Sequence, residues 1–486
     1  MTRISVKVIL FVLLSVSSVV EAATNFLAAD ASTPVVDDIP YRAALYYQHS
    51  GEFDKGLAVL AAANPATASA PVQAWRDMLN GYIYLQKGYY EDAERLLSAL
   101  NNSQIFPVYN AQVLYPLVKA YFGESRCDKV LSTLAKAQGF PPEINAQITF
   151  MRVSCMVGQS KDPAIISQAE SVINEALLTQ RKIDRMWFAY TYFNVASAAA
   201  GSFANYYDAD RLYNEALKYI NLSSEEGKAL KQKTLLNMGL ANYQDNRFDY
   251  AAKYFAQMPL DGLWSDISLL AYGWANFRSY KPDIAIEAWR QLVNLPYRSM
   301  SVYEGFMDIP SAYEQANDFG DALKAYDDAL NEFIKAMAEI QQTKKTLNVK
   351  TVHDYAVQYA KSMKDSTAIN LPPLLARTYT EDRQIELVRY INDIEMYKKR
   401  LADYSKRLQA LKSKGSAVSV LQRNVSALQV QAGRLQKAAE AKLLSRTLAV
   451  LDTQYKRIAQ FALDARVTNV RLQEEYFQRG GRKLWH

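Results

Sequence analysis

LLNMGLANYQDNRFDYAAKYFAQMP, residues Leu235 to Pro259, reads as a helix, a tight turn and a second helix. Gly239 stands where the two helices must approach closely, and Asn246 with Arg247 supplies the turn. Ala251, Phe255 and Met258 follow three and four residues apart, the spacing of one helix face. The same order of small residue, turn, aromatic, Ala and large apolar residue recurs, degraded, through most of the chain.

Working outward, the turn and the Ala position align eight candidate units. The first runs from Asp37 to about Ala70, with Ala44 and Tyr47 before Gly51 and with Phe53 and Leu60 after it, stopped by Pro65. The second begins near Ala74 (Gly81, Tyr84, Gly88, Tyr90, Ala93, Leu97) and the third near Ala111 (Val118, Tyr121, Val130, Leu134). The next begin near Asn145, Tyr190, Gln232, Asp266 and Tyr303, and those from Asn145 and Tyr190 fit least well. This order resembles the tetratricopeptide repeat, whose unit is about 34 residues. The resemblance covers about residues 37 to 330 and implies a solenoid of helical hairpins. Such repeats specify a fold far more than a function.

Composition agrees. Half of the 486 residues are apolar and 22% are charged, so a packed core is feasible. Only 18 Gly and 15 Pro argue against a turn-dense β fold and for an almost wholly helical chain.

The N-terminus reads as an address. Arg3 and Lys7 precede the apolar run Val8 to Val20, followed by Glu21 and Ala22. That run is short of the roughly 20 residues a spanning helix needs, so a cleaved secretory signal is preferred. No Cys follows it to carry a lipid. A periplasmic location in a Gram-negative cell is the expectation.

The last repeat does not stop on schedule. Leu323, Tyr326, Leu330, Phe333, Met337 and Ile340 carry its second helix to about Leu347. A linker with one short helix near Tyr355 to Met363 follows, and Leu371-Pro372-Pro373 opens a new helix. That helix carries Tyr390, Ile394, Tyr397, Leu401, Tyr404 and Leu408, and Lys412 to Ser416 makes a turn. Val418, Leu421, Val425, Leu428, Ala432, Leu435 and Ala439 continue the heptad; after Lys442 it shifts to Leu444, Leu448, Leu451, Tyr455, Ile458 and Ala462. An unbroken helix from Ala417 to Gln478 would be about 93 Å long. It must bend back, pack its distal part on residues 321 to 347, or pair with another chain.

The expected organisation is therefore a signal peptide (1–22), a flexible lead-in (23–36) and a tetratricopeptide-like solenoid (37–320). An extended last-repeat helix (321–347), the linker (348–370), a long antiparallel coiled-coil hairpin or helical bundle (371–480) and a basic tail (481–486) follow. The fold class is all-α.

Net charge is +6, unevenly placed. From Lys398 to His486 there are 19 Lys and Arg against 6 Asp and Glu, which leaves the rest of the chain acidic. Such an arm can meet anionic lipid, a polyanionic glycan or an acidic partner. A solvated helical face is the plainer reading and the preferred one.

No catalytic constellation is present. The sequence has no Gly-rich phosphate loop, no Gly-x-Ser-x-Gly and no His-Glu-x-x-His. The three His residues lie far apart without metal-ligand company. No enzyme activity, cofactor, metal or nucleic-acid partner is expected. Cys127 should begin the second helix of the third unit and Cys155 end the first helix of the fourth, at the same edge of stacked hairpins. Two buried free thiols are the alternative; an oxidising compartment favours a disulfide, closing 28 residues and stabilising by about 3 kcal/mol.

In tetratricopeptide proteins the first helix of each hairpin lines a groove that holds peptides or partner helices. The resemblance places Tyr41, Leu45 and His49 there, with Trp75, Tyr82 and Leu85, and with Tyr115, Lys119 and Phe122. It adds Leu240 and Tyr243, then Trp274, Phe277 and Arg278. Aromatic residues and Arg are what binding hot spots favour. Groove binding is preferred over core packing for the first three units, and core packing for the last three. The layout also resembles envelope proteins that carry such repeats. The leading expectation is a periplasmic adaptor that binds a protein partner through the solenoid and tethers or forms a homo-oligomer through the coiled coil. A structural protein whose basic arm contacts anionic lipid or cell-wall polymer comes second, and a noncatalytic subunit of an envelope enzyme or transport complex third.

Overall fold

The computed structural model describes residues 34–64, 68–103, 111–137, 140, 142–179, 185–262, 264–365, 375, 382–410 and 416–478. The signal sequence, most of the lead-in, the Pro65 stop, the Pro372-Pro373 opening, the turn at 412–415 and the basic tail lie outside them. The chain forms two compact units, one ending at Met258 with Gly262–Trp264, the other beginning at Ser265 with Pro259–Asp261.

The first unit is six helical hairpins in sequence. They pair α1 (Ile39–His49) with α2 (Phe53–Ala62), α3 (Ala70–Gln86) with α4 (Tyr90–Asn101), and α5 (Ala111–Gly123) with α6 (Cys127–Lys136). Then come α7 (Pro142–Gln159) with α8 (Ile165–Thr179), α9 (Arg185–Phe203) with α10 (Tyr206–Tyr219), and α11 (Glu225–Gln244) with α12 (Phe248–Phe255).

One turn repeats. Gly51, Gly88, Ser125, Ala204 and Asn246 each adopt a positive φ between the two helices of a hairpin. The residue after four of them returns its N–H five positions back: Glu52 to Tyr47, Tyr89 to Tyr84, Arg126 to Tyr121 and Arg247 to Asn242, at 2.8 to 2.9 Å. That is a left-handed helix stop, which satisfies carbonyls the helix end would otherwise leave open. Glycine meets it freely at 51 and 88; Ser, Ala and Asn adopt it at some strain. The fourth hairpin turns differently, through Ser160 to Pro163.

Successive hairpins are tied by apolar packing and by charge. Arg76 of α3 donates from Nε and Nη2 to both oxygens of Asp38, at 2.9 and 2.6 Å. Arg211 of α10 does the same to Glu170 of α8, at 2.6 and 2.9 Å. Asp38 also caps α1 by accepting the Tyr41 N–H, and the Arg76 guanidinium holds its carboxyl below the usual range. Cys127, the first residue of α6, is disulfide-bonded to Cys155 on α7, with Cα atoms 5.1 Å apart.

The second unit holds two more hairpins, α13 (Ser265–Arg278) with α14 (Pro282–Val293) and α15 (Met300–Gln315) with α16 (Phe319–Thr346). Tyr280 and Asn317 make the same left-handed stop. Helices α17 (Val349–Asp365), α18 (Asp382–Ala410) and α19 (Ser416–Gln478) follow. Where a linker with one short helix is expected, α17 is 17 residues long. Asn348 starts it by accepting the Lys350 and Thr351 N–H groups, and Val352, Ala356 and Tyr359 bury one face.

Of the three paths open to the long helix, the distal half of α19 packs antiparallel on α16. Phe461 meets Phe333 at 5.8 Å, and Asn469 donates to Asp327 at 2.8 Å. Arg457 pairs with Glu304 and Arg471 with Glu314. The proximal half pairs antiparallel with α18. The seam crosses from one partner to the other through a polar band. There Gln436 donates to Glu395 (2.7 Å), Lys398 donates to Gln436 (2.5 Å), and His353 of α17 meets Glu440 (2.8 Å). The buried line beyond it begins at Leu443 and Thr447, one residue before the expected Leu444 and Leu448. The change of partner rotates the buried face.

Candidate partner-binding face

The groove positions of the first three hairpins divide by burial. Tyr41, Tyr82 and Tyr115 are 1% exposed, and Trp75 is buried with them. Tyr41 and Trp75 meet edge to face at 6.2 Å across α1 and α3. The Tyr82 hydroxyl donates to the Gln112 carbonyl on α5, and that of Tyr115 to the Gln147 side chain on α7. Burial pushes all three tyrosine hydroxyls up. These four residues pack successive hairpins together. The expectation that they face an open groove is corrected: stacking brings the next hairpin over them, and the Tyr82 and Tyr115 hydroxyls find partners on it.

His49 and Arg278 are exposed at helix ends, and His49 Nδ1 lies 2.7 Å from the Leu45 carbonyl. Tyr243 is half-buried and packs on Phe248 at its own turn. In the second unit, Trp274 is half-buried among Phe277 and Trp289, at 5.6 and 5.4 Å.

Lys119 and Phe122 remain half-buried and open. They lie one turn apart on α5, hence on one face. The Lys119 ammonium sits 5.3 Å from the Tyr115 ring centre, and burial pushes its pKa down to about 8. Among the described residues it has no carboxylate within ion-pairing distance. From Phe122 a chain of rings continues: Phe150 of α7 at 5.6 Å, then Trp187 of α9 at 5.1 Å, then Tyr190 at 6.1 Å. The Tyr190 hydroxyl donates to Glu226 of α11 at 2.5 Å. Phe150 and Tyr190 are buried supports, whereas Phe122 and Trp187 are half-exposed. One cation, four rings and one carboxylate thus line up across the first helices of four consecutive hairpins.

Sequence reading missed Phe150, Trp187 and Tyr190 as site residues. The fourth and fifth hairpins were aligned from Asn145 and Tyr190, but their helices begin at Pro142 and Arg185, leaving Trp187 outside the unit. The density of rings in RMWFAYTYF, 185–193, was the available signal.

A surface cavity of 540 Å³ in the second unit is lined by Leu295, Arg298, Tyr303, Glu332, Lys335 and Glu339. Its charges alternate in sign and select no ligand class. Among the described residues no three His, Cys, Asp or Glu side chains gather as a metal site, and no helix is long and apolar enough to cross a membrane.

The sequence matches no family model and no curated protein. Among solved structures it is similar to the crystal structure of the APC/C hetero-tetramer Cut9-Hcn1, at 12% identity and a TM-score of 0.28. The match covers 89% of this chain and 99% of that one. At that score the likeness carries no weight of its own. The tetratricopeptide-like character rests on the hairpins, their repeated turn and the close seat of Gly239 against Phe255 and of Gly273 against Trp289.

Proposed function

We propose that the chain is a non-enzymatic scaffold exported to the periplasm, where the face from Lys119 to Tyr190 holds a segment of a protein partner in an envelope complex. The observation that carries this is the ring chain Phe122, Phe150, Trp187 and Tyr190 beside an ammonium with no ion-paired carboxylate among the described residues. Burying a cation without an acid is costly, and a partner carboxylate would offset that cost. Rings held rigidly by their neighbours offer contact area at little entropic expense. The short N-terminal apolar run and the Cys127–Cys155 bond support export to an oxidising compartment.

The test is a photo-crosslinking residue at position 122 or 187 of the protein in intact cells, with mass spectrometry of what is captured. A defined envelope protein should be trapped from both positions and lost with Lys119→Met or Trp187→Ala, without a fall in melting temperature for Lys119→Met. Capture of nothing above background from either position would sink the reading. A mature mass that still includes residues 1–22 would sink the export.

A further inference from the structure

We propose that the solvent-exposed end of the α18–α19 hairpin, residues 395–410 and 418–435, docks one amphipathic helix with acidic flanks from another protein and so completes a three-helix bundle. This goes beyond the face of the first unit and does not depend on it.

The register comes first. Lys398 Nζ donates to Gln436 Oε1 at 2.5 Å, and Gln422 Nε2 donates to the Leu408 carbonyl at 3.3 Å. That antiparallel register sets Tyr404 level with Leu428 and Tyr397 level with Leu435. In a closed helical pair the whole three-and-four seam would be covered. Here it splits by sevens. Tyr390, Tyr397 and Tyr404 are 43%, 36% and 54% exposed, and Leu421, Leu428 and Leu435 are 50%, 50% and 42% exposed. The alternate layers, Leu401, Leu408, Val425 and Ala432, are half-buried. No described side chain from Glu395 to Leu435 is buried. In an antiparallel pair alternate layers open to opposite sides, so the exposed rings and leucines form one face. Leu421 to Leu435 spans about 21 Å, roughly four turns of a docking helix.

Charge then selects the occupant. Among the described residues from Glu395 to Lys437 there are eight Lys and Arg against Glu395 and Asp403, whereas from 438 to 478 there are six against five acids. Arg457 and Arg471 are paired within the unit, as are Lys398 with Glu395 and Arg407 with Asp403, which still leaves the proximal stretch with far more bases than acids. The basic surplus is therefore concentrated beside the open apolar face. A second copy would bring like charge against like, so the face suits an acidic partner. A stripe shared by two helices in matched heptad layers fits a third helix better than a flat bilayer.

The test uses the full mature chain and a labelled synthetic three-heptad peptide with Leu at the seam and Glu at the flanks, against a twin with Lys flanks. Fluorescence anisotropy should show saturable binding of the Glu peptide, weakening with salt, and none of the Lys twin. Tyr404→Ser with Leu428→Ser should weaken binding about tenfold or more, as loss of central anchors does. Lys406→Glu, Arg407→Glu and Arg423→Glu together should reverse the preference. Equal binding of both peptides, binding of neither, or indifference to the serine pair overturns the proposal. So does sedimentation as a dimer that the serine pair dissolves, which assigns the face to a second copy. Partition onto phosphatidylglycerol vesicles without peptide binding assigns it to lipid and overturns it equally.

Discussion

Gly239 lies under the ring of Phe255: a methyl group on residue 239 would stand 2.4 Å from the ring carbon Cε1. Gly273 stands in the same relation to Trp289 in the second unit, at 2.2 Å from Nε1 and the same sixteen residues apart. Both rings are buried and cannot swing aside. Gly→Ala in a helix ordinarily gains up to about 1 kcal/mol. Overpacking a fixed core costs about 1–3 kcal/mol or more. Gly239→Ala should therefore lower stability, while Gly433→Ala, with nothing within 4 Å of its new methyl group, should raise it by about 0.5–1 kcal/mol. Denaturant unfolding of the two variants checks the opposite signs.

The bond from Cys127 to Cys155 joins adjacent hairpins of the first unit. Replacing both by Ser should cost about 3 kcal/mol in the chain-entropy account. Thiol labelling of the unfolded, unreduced protein should modify neither cysteine. Modification of both, with unchanged stability after the double substitution, would show that the protein as made has no such bond.

The architecture was legible because its signals are local and periodic. Gly239, Asn246, Ala251 and Phe255 fix a helix, a turn and a packing distance within one short stretch. Burial across hairpins was not legible. Tyr41, Tyr82 and Tyr115 have the spacing of an exposed groove, and only the next hairpin's Gln112 and Gln147 reveal that they are covered. Trp187 was missed because longer fourth and fifth hairpins broke the alignment. The shift to Leu443 and Thr447 depends on α19 exchanging α18 for α16, a long-range event that no heptad count contains.

Asp308 on α15 is 8% exposed, and among the described residues its Oδ2 has no hydrogen-bond partner. Burial pushes its carboxyl well above the ordinary 3.8, the Glu304 charge one turn away adds to this, and a hydrogen bond from Trp274 opposes it. The folded state therefore holds a proton that the unfolded chain releases. Its stabilising effect is present at low pH and is lost as pH rises from about 4 through the raised value. Asp308→Asn keeps an acceptor for Trp274 and removes the charge. It should raise the melting temperature by at least about 2 °C at pH 8 and change it little at pH 4. An equal shift at both values would mean that Asp308 is ionised in the fold throughout.

Lys119 tests stability and function together. Burial lowers its pKa from 10.5 to about 8, although the Tyr115 ring favours the charged form. Between those values the unfolded chain binds the proton more tightly, so stability rises with pH across the interval and is penalised below it. Lys119→Met keeps the apolar stem and removes the charge. It should raise the melting temperature by a few degrees at pH 7 and flatten the rise between pH 8 and 10.5. Its effect on partner capture should be the reverse, a loss. On the proposed reading a partner carboxylate offsets the cost of burying this ammonium, and only a stabilised variant that has lost capture satisfies both halves. A variant that is stabilised and still captures its partner would leave Phe122 and Trp187 as the binding residues and Lys119 without a part in recognition.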